Sequence, residues 1–289
     1  MKIFPIFSIL LLLIYVDLTK AACRYITDFD SRNQWPRCKD IINRVVHQGG
    51  CDACWAVSTA SAYTDRYCIE RAKKGLSTPN NASYQFSALD ILTCARPLFD
   101  GCQGAQMYIA WNYIHQHGVC TGADYPWGSG CRPYPYSPGV PAYRIKCNEF
   151  RQKPQCTNPK WKIPYANDKR GLRSVGRLHG PRSTVGAIQA EIRLNGPVTA
   201  GFLAYDDIDN RGPIDDVYIR VGKRKIFPNH GLVIVGWGRQ ICGSIVTPYW
   251  ICKNSWGTGW GKQGFINVRL GTNECGIEKN DISFGVPAV

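Results

Sequence analysis

The sequence predicts an α+β protein of two lobes, helices in the first and strands in the second, with the chemistry placed between them. Three observations predict it. The stretch from Trp55 to Lys74 contains neither Gly nor Pro and reads as one long helix. Past Val198 the chain turns to short β-branched and aromatic runs: Val198–Tyr205, Gly231–Trp237, Pro248–Lys253 and Gly264–Leu270. Between the halves, Pro126–Pro164 holds eight prolines and three cysteines, an irregular insertion tied down by disulfides.

Met1-Lys2 is a basic start, Ile3–Val16 is apolar apart from Ser8, and Thr19-Lys-Ala21 offers small residues for cleavage. Residues 1–21 therefore read as a secretory signal peptide, too short to span a membrane. Residues 22–289 read as one domain: a helical lobe over roughly 40–130, the insertion over 126–164 and a sheet lobe over roughly 165–280. Gly75 is a stop for the long helix. Gln106–His117 reads as a second helix ending at Gly118, and Ser183–Asn195 as a third, closed by Gly196-Pro197.

The net charge is +14, yet the basic residues are scattered, with the tightest cluster at Lys223-Arg-Lys225. No stacking module accompanies them, so nucleic acid is not an expected partner. No second apolar stretch is long enough to span, so neither is a membrane. Fourteen cysteines in a secreted chain imply a disulfide framework. If Cys54 is free, thirteen remain, and at least one more is unpaired. Asn81-Ala-Ser83 is an acceptor for N-glycosylation.

Cys54 stands in Gln48-Gly-Gly-Cys-Asp-Ala-Cys54-Trp55, at the start of the long helix. Aligned peptide dipoles at a helix N-terminus favour the thiolate, the reactive form. His230 precedes a strand-like run, and Asn254 opens Asn254-Ser-Trp-Gly. A cysteine, a histidine and an asparagine are the parts of a thiol hydrolase. Each alone has a plainer reading: a disulfide half, a loop histidine, a turn residue. The other histidines, His47, His115, His117 and His179, keep that plainer reading. His115 and His117 are two apart and do not share a helix face, so no metal pair is expected. Cys51-Asp-Ala-Cys54 is also a C-x-x-C before a helix, but the βαβ context of a thiol–disulfide oxidoreductase is missing.

Cys51-Asp-Ala-Cys54-Trp55 resembles the papain and cathepsin nucleophile signature C-G-[SA]-C-[WY], with Asp52 in place of the glycine. Phe29-Asp-Ser-Arg-Asn-Gln-Trp-Pro36, Gly130-Cys-Arg-Pro-Tyr134, His230-Gly, Asn254-Ser-Trp256 and Cys275-Gly-Ile-Glu278 resemble, in order, segments of the cathepsin B-like branch. The resemblance to papain-like cysteine peptidases covers essentially all of residues 25–289. It implies a papain-like two-lobed fold, a helical left lobe and a β-barrel-like right lobe with the active site between them. It implies Cys54 as nucleophile, His230 as its acid–base partner, Asn254 orienting the imidazole under Trp256, and Gln48 as an oxyanion donor. Gly104, Ala105 and Gly231 would flank the substrate, and Glu278 would sit at the bottom of a specificity pocket. The resemblance further implies disulfides Cys38–Cys68, Cys51–Cys102, Cys94–Cys147 and Cys131–Cys156. Cys23, Cys120, Cys242, Cys252 and Cys275 are left without a named partner. It also implies peptide or protein substrates, cystatin-like inhibitors, a monomer, and no cofactor or metal.

The expected function is thus a secreted or lysosomal cysteine endopeptidase. Residues 131–156 contain no histidine, whereas cathepsin B uses a His-His pair there to cut dipeptides from C-termini, so that activity is expected to be lacking. No inhibitory pro-region separates the leader from Phe29, so the sequence reads as an incomplete gene product or a protein controlled differently. Asp52, Ala105 and Asn229 each replace a family glycine, which favours altered specificity. The alternative is a weak or inactive homologue that serves as a secreted binding protein.

Overall fold

The structure is a computed structural model. It describes residues 23–79, 84–97, 101–126, 128–140, 145–147, 155–208 and 216–289. The leader read at residues 1–21 and the acceptor Asn81 lie outside the described residues.

Strand β1 (Arg24–Asp30) is followed by two short helices, α1 (Ser31–Gln34) and α2 (Lys39–Ile42). The long helix is α3 (Cys54–Lys73), and α4 (Ala88–Cys94) and α5 (Met107–His117) pack against it. Among the described residues of 126–164 no helix or strand forms. After α6 (Tyr165–Asp168) come β2 (Leu172–Leu178), α7 (Val185–Asn195), β3 (Val198–Tyr205) and β4 (Val217–Tyr218). Strands β5 (Lys225–Cys242), β6 (Ile245–Lys253), β7 (Phe265–Arg269) and β8 (Ile282–Pro287) complete the chain. One sheet joins them in the order β2-β8-β3-β5-β6-β7-β4, with β1 paired to β5. The two-lobed α+β arrangement is the one that the sequence predicts.

β5 divides the molecule. Side chains alternate along a strand. Val233 and Val235 face a core shared with the helices, among Trp55, Tyr63, Leu89 and Trp111. Leu232 and Ile234 face a second core with Ile188 and Ile192 of α7 and Phe202, Trp250 and Val268 of the sheet. A helix buried on every side must bond its own polar groups. In α3 the hydroxyls of Thr59 and Thr64 donate to the carbonyls of Trp55 and Ala60, each at 2.7 Å. Arg66 donates to the carbonyls of Pro197, Gly196 and Gly285 and to the Glu191 carboxylate, and so ties the two lobes together.

The chain ends trade lobes. β1 joins the sheet from before the helices, and the Val289 carbonyl accepts from Lys74 Nζ just past the end of α3 at 2.7 Å. The sheet therefore takes in residues outside the span read for its lobe. A disulfide joins Cys23 to Cys242 where β1 meets the end of β5, a pairing for which the sequence offered no cue. Four other disulfides join Cys38 to Cys68, Cys51 to Cys102, Cys94 to Cys147 and Cys131 to Cys156.

A second tie between the lobes is a buried ion pair. Lys253 Nζ, at the end of β6, reaches Asp65 Oδ2 of α3 at 2.8 Å and the Ile42 carbonyl at 3.0 Å. Burial pushes the Asp65 carboxyl up to about 6 and the Lys253 ammonium down, and their contact opposes both shifts. Removing one partner leaves the other charged and unpaired. Asp65→Leu or Lys253→Met alone should each cost about 3–5 kcal/mol in urea unfolding, and the double variant much less than their sum.

Candidate active site

The cleft between the lobes is a cavity of about 620 Å³. Cys54, Gln48 and Asp52 line it from the helical side, and His230, Gly231 and Trp256 from the sheet side. Cys54 is the first residue of α3, and Ala53 before it offers no side-chain cap, so the first backbone N–H groups remain available. The backbone N–H groups of Gly231, Trp55 and Cys54 itself favour the thiolate, against the larger effect of burial.

The approach of β5 to this helix end leaves little room for a side chain. A Cβ on Gly231 would stand 3.0 Å from the Cys54 carbonyl oxygen and 3.2 Å from Met107 Sδ. Ser58 Oγ, one turn into α3, donates to the Gly231 carbonyl at 2.9 Å. His230 is thereby fixed beside the start of the helix.

His230 Nε2 lies 2.7 Å from Asn254 Oδ1, which also accepts from the Ser255 backbone N–H at 2.7 Å. An atom that accepts from a backbone N–H is the amide oxygen, so Nε2 carries the proton and Nδ1 is left to face the cleft. The Trp256 ring lies over the imidazole, 4.6 Å between centroids, and shields that bond from water. Trp256 is braced edge-on by Trp260 at 5.0 Å.

Gln48 is buried at the rim. Its Oε1 accepts from Ser255 Oγ at 2.7 Å, its Nε2 donates to the Cys51 carbonyl at 3.0 Å, and its backbone is held by Ser255 and Tyr134. Nε2 carries two hydrogens, so the second remains for a group in the cleft. Ser255 thus positions both Asn254 and Gln48. The Asn-Ser-Trp run contains it, but its role was not readable there.

With its partner neutral, each reacting group is held uncharged. Burial pushes the Cys54 thiol up to about 11; the backbone donors lower it, and the charge on Asp52 adds a smaller rise. Burial, opposed by the Asn254 bond, pushes His230 down to about 4. Burial, more than Asp52, therefore governs the thiol.

Gly104 and Ala105 lie on the helical wall of the cleft. Glu278 does not reach it. Its carboxylate is 5% exposed and accepts from Trp250 Nε1 at 3.1 Å and from the backbone N–H groups of Gly271 and Asn273 at 2.6 and 2.9 Å. It stitches a turn together, and the reading of Glu278 as a pocket acid is corrected. Asn280 and Asp281 line the cleft from that segment instead. Asp281 Oδ2 accepts from the Met107 backbone N–H at 2.9 Å, at the start of α5.

Cys51 is bonded to Cys102, and Cys54 is free, so Cys51-Asp-Ala-Cys54 is not a redox pair in this structure. Cys120, Cys252 and Cys275 are also free and buried. Cys120, Cys131 and Asp168 cluster within 4.8 Å, but Cys131 is disulfide-bonded and offers no thiolate to a metal. Among the described residues no helix is long and apolar enough to cross a membrane.

The model of the family described as papain family cysteine protease matches residues 26–284. The chain is 35% identical over 270 residues to cathepsin B-like cysteine proteinase 4 of Caenorhabditis elegans, covering 90% of this chain and 75% of that protein. It is 33% identical over 265 residues to a cathepsin B-like cysteine proteinase of Schistosoma japonicum, covering 89% and 72%. Among solved structures, procathepsin B S9 of Trypanosoma congolense superposes with a TM-score of 0.71 at 29% identity, covering 92% of this chain and 79% of that one. The chain belongs to the papain family of cysteine proteases, in its cathepsin B-like branch. It is a cysteine proteinase, and peptides or proteins are its substrates.

The seam at Gly231 generates a test. Gly231→Ala should destabilise the protein by roughly 1–3 kcal/mol through overpacking, measured by urea unfolding. It should also lower kcat/KM on a peptide substrate, because the helix end and His230 are pushed apart.

Proposed function

We propose that the protein is an endopeptidase acting through Cys54, His230 and Asn254, with little dipeptidyl-carboxypeptidase activity. The observation that carries the reading is the His230 Nε2–Asn254 Oδ1 bond under Trp256, in the cleft that Cys54 enters.

The thiol proton passes to His230 Nδ1, and Cys54 Sγ attacks the carbonyl carbon to form a C–S bond. The oxyanion takes hydrogen bonds from Gln48 Nε2 and the Cys54 backbone N–H. His230 returns the proton to the leaving nitrogen, the C–N bond breaks, and the amine departs. Water then attacks the thioester, giving one proton to His230, and the carboxylic product leaves as the thiol is restored. Asn254 keeps the imidazole aligned through both steps. Gly104 and Ala105 on one wall and Gly231 and Trp256 on the other flank the substrate chain.

The lack of histidine in residues 131–156 supports endopeptidase over dipeptide-releasing activity. The five disulfides and the leader-like start support passage through the oxidising secretory pathway to the lysosome or the exterior, with glycan on Asn81. The protein would act as a monomer, and cystatin-like inhibitors would fill the same cleft.

An epoxide probe for papain-like enzymes should label Cys54 stoichiometrically, with no labelling in Cys54→Ala. Gln48→Ala should lower kcat about 10²–10³-fold, as for loss of one oxyanion donor. Efficient release of dipeptides from N-terminally blocked peptides would contradict the endopeptidase reading. Well-folded protein that takes no probe would favour a binding role.

A further inference from the structure

Asp52 is exposed and lines the cleft two residues before the nucleophile. The ion pairs of the described residues do not include it. Its side of the cleft can be located. Asp52 follows Cys51, and Cys51 is bonded to Cys102, two residues before Gly104. It therefore shares the helical wall with Gly104 and Ala105. His230 and Trp256 stand on the opposite, sheet wall. Asp52 is two residues from Cys54, so its carboxylate stands beside the substrate residue whose carbonyl the thiol attacks, the residue on the acyl side of the scissile bond.

We propose that Asp52 is a specificity-determining residue that selects substrates with a cationic side chain, lysine or arginine, on the acyl side of the scissile bond. The proposal rests on the peptidase reading above and adds a substrate class to it. A glycine at this position, as in the family signature, carries no charge to select with.

The charge has a second effect. The Asp52 carboxylate raises the Cys54 thiol, in addition to the larger effect of burial. A bound cation that neutralises Asp52 removes that contribution and favours the thiolate. The preference should therefore appear in kcat as well as in KM.

The test uses the full chain and three peptides identical except at the residue before the cleaved bond: Arg, Gln or Glu. Cleavage sites are read by mass spectrometry and kcat/KM by progress curves. Wild type should favour Arg over Gln by about three- to tenfold, the range of an exposed to partly shielded charge pair, and disfavour Glu. The Arg preference should shrink as salt rises from 0.05 to 0.5 M, since about 10 Å of screening length falls toward a few ångströms. Asp52→Asn should bring Arg and Gln within about twofold, and Asp52→Lys should reverse the order of Arg and Glu. Titration of Cys54 with the epoxide probe checks that both variants remain folded. Hydrolysis of all three peptides at equal rates, or an Arg preference that survives in both variants, overturns the proposal while leaving the peptidase reading intact. Hydrolysis of none by wild type overturns both.

Discussion

The contact on which the rest of the site depends is the seam between the start of α3 and β5 at Gly231. The absence of a side chain there lets a strand approach a helix end to van der Waals distance, and Ser58 locks it with a hydrogen bond to the Gly231 carbonyl. Cys54 and His230, the proposed nucleophile and base, lie 176 positions apart in the chain, and this seam sets their separation. The Arg66 fan and the Lys253–Asp65 pair hold the same two lobes together farther along α3. The helix is consequently fixed along its length, with its first residue, Cys54, lining the cleft.

The second organising feature is how a few residues share several tasks. Ser255 orients Asn254 through its backbone and Gln48 through its hydroxyl. Asn254 holds His230 in one tautomer, and Trp256, the next residue but one, covers the bond. His230, Asn254 and Gln48 are thus linked through three consecutive residues just past the end of β6. Disturbing the β6 end would affect all of them together.

Much of this was legible in the sequence, and the limits have physical causes. α3 was readable because twenty residues without Gly or Pro announce a helix, and β3 because its run is apolar and β-branched. β1, β2 and β8 carry weaker signals: Arg24–Asp30 is mostly polar, Leu172–Leu178 holds two arginines among its apolar residues, and β8 is only six residues long and ends in Pro287. The Cys23–Cys242 bond closes a separation of 219 residues, which no local pattern records. The resemblance that assigns Glu278 to a pocket does not carry the direction of its side chain. Cys275 at φ 49° and Gly276 at φ 77° turn the chain so that Glu278 points inward to Trp250 while Asn280 faces the cleft. Motifs mark which residues gather at the site, while the handedness of one turn decides which side chain enters it.

Cys54 and His230 are proposed to ionise together. Each is buried, so neither charge is tolerated alone: the thiol lies near 11 and the imidazole near 4. Transfer of the proton from sulfur to nitrogen creates two opposite charges whose attraction, with the helix N-terminus, replaces the lost hydration. The most direct measurement is the pH dependence of Cys54 alkylation by a neutral haloacetamide, in wild type and in His230→Ala. The wild-type rate should be nearly flat from about pH 5 to 8 and at least ~100-fold above the variant at pH 6, as for a thiolate held by an imidazolium. A rate that climbs about tenfold per pH unit across that range, equally in both proteins, would mean a lone buried thiol and would contradict the joint ionisation.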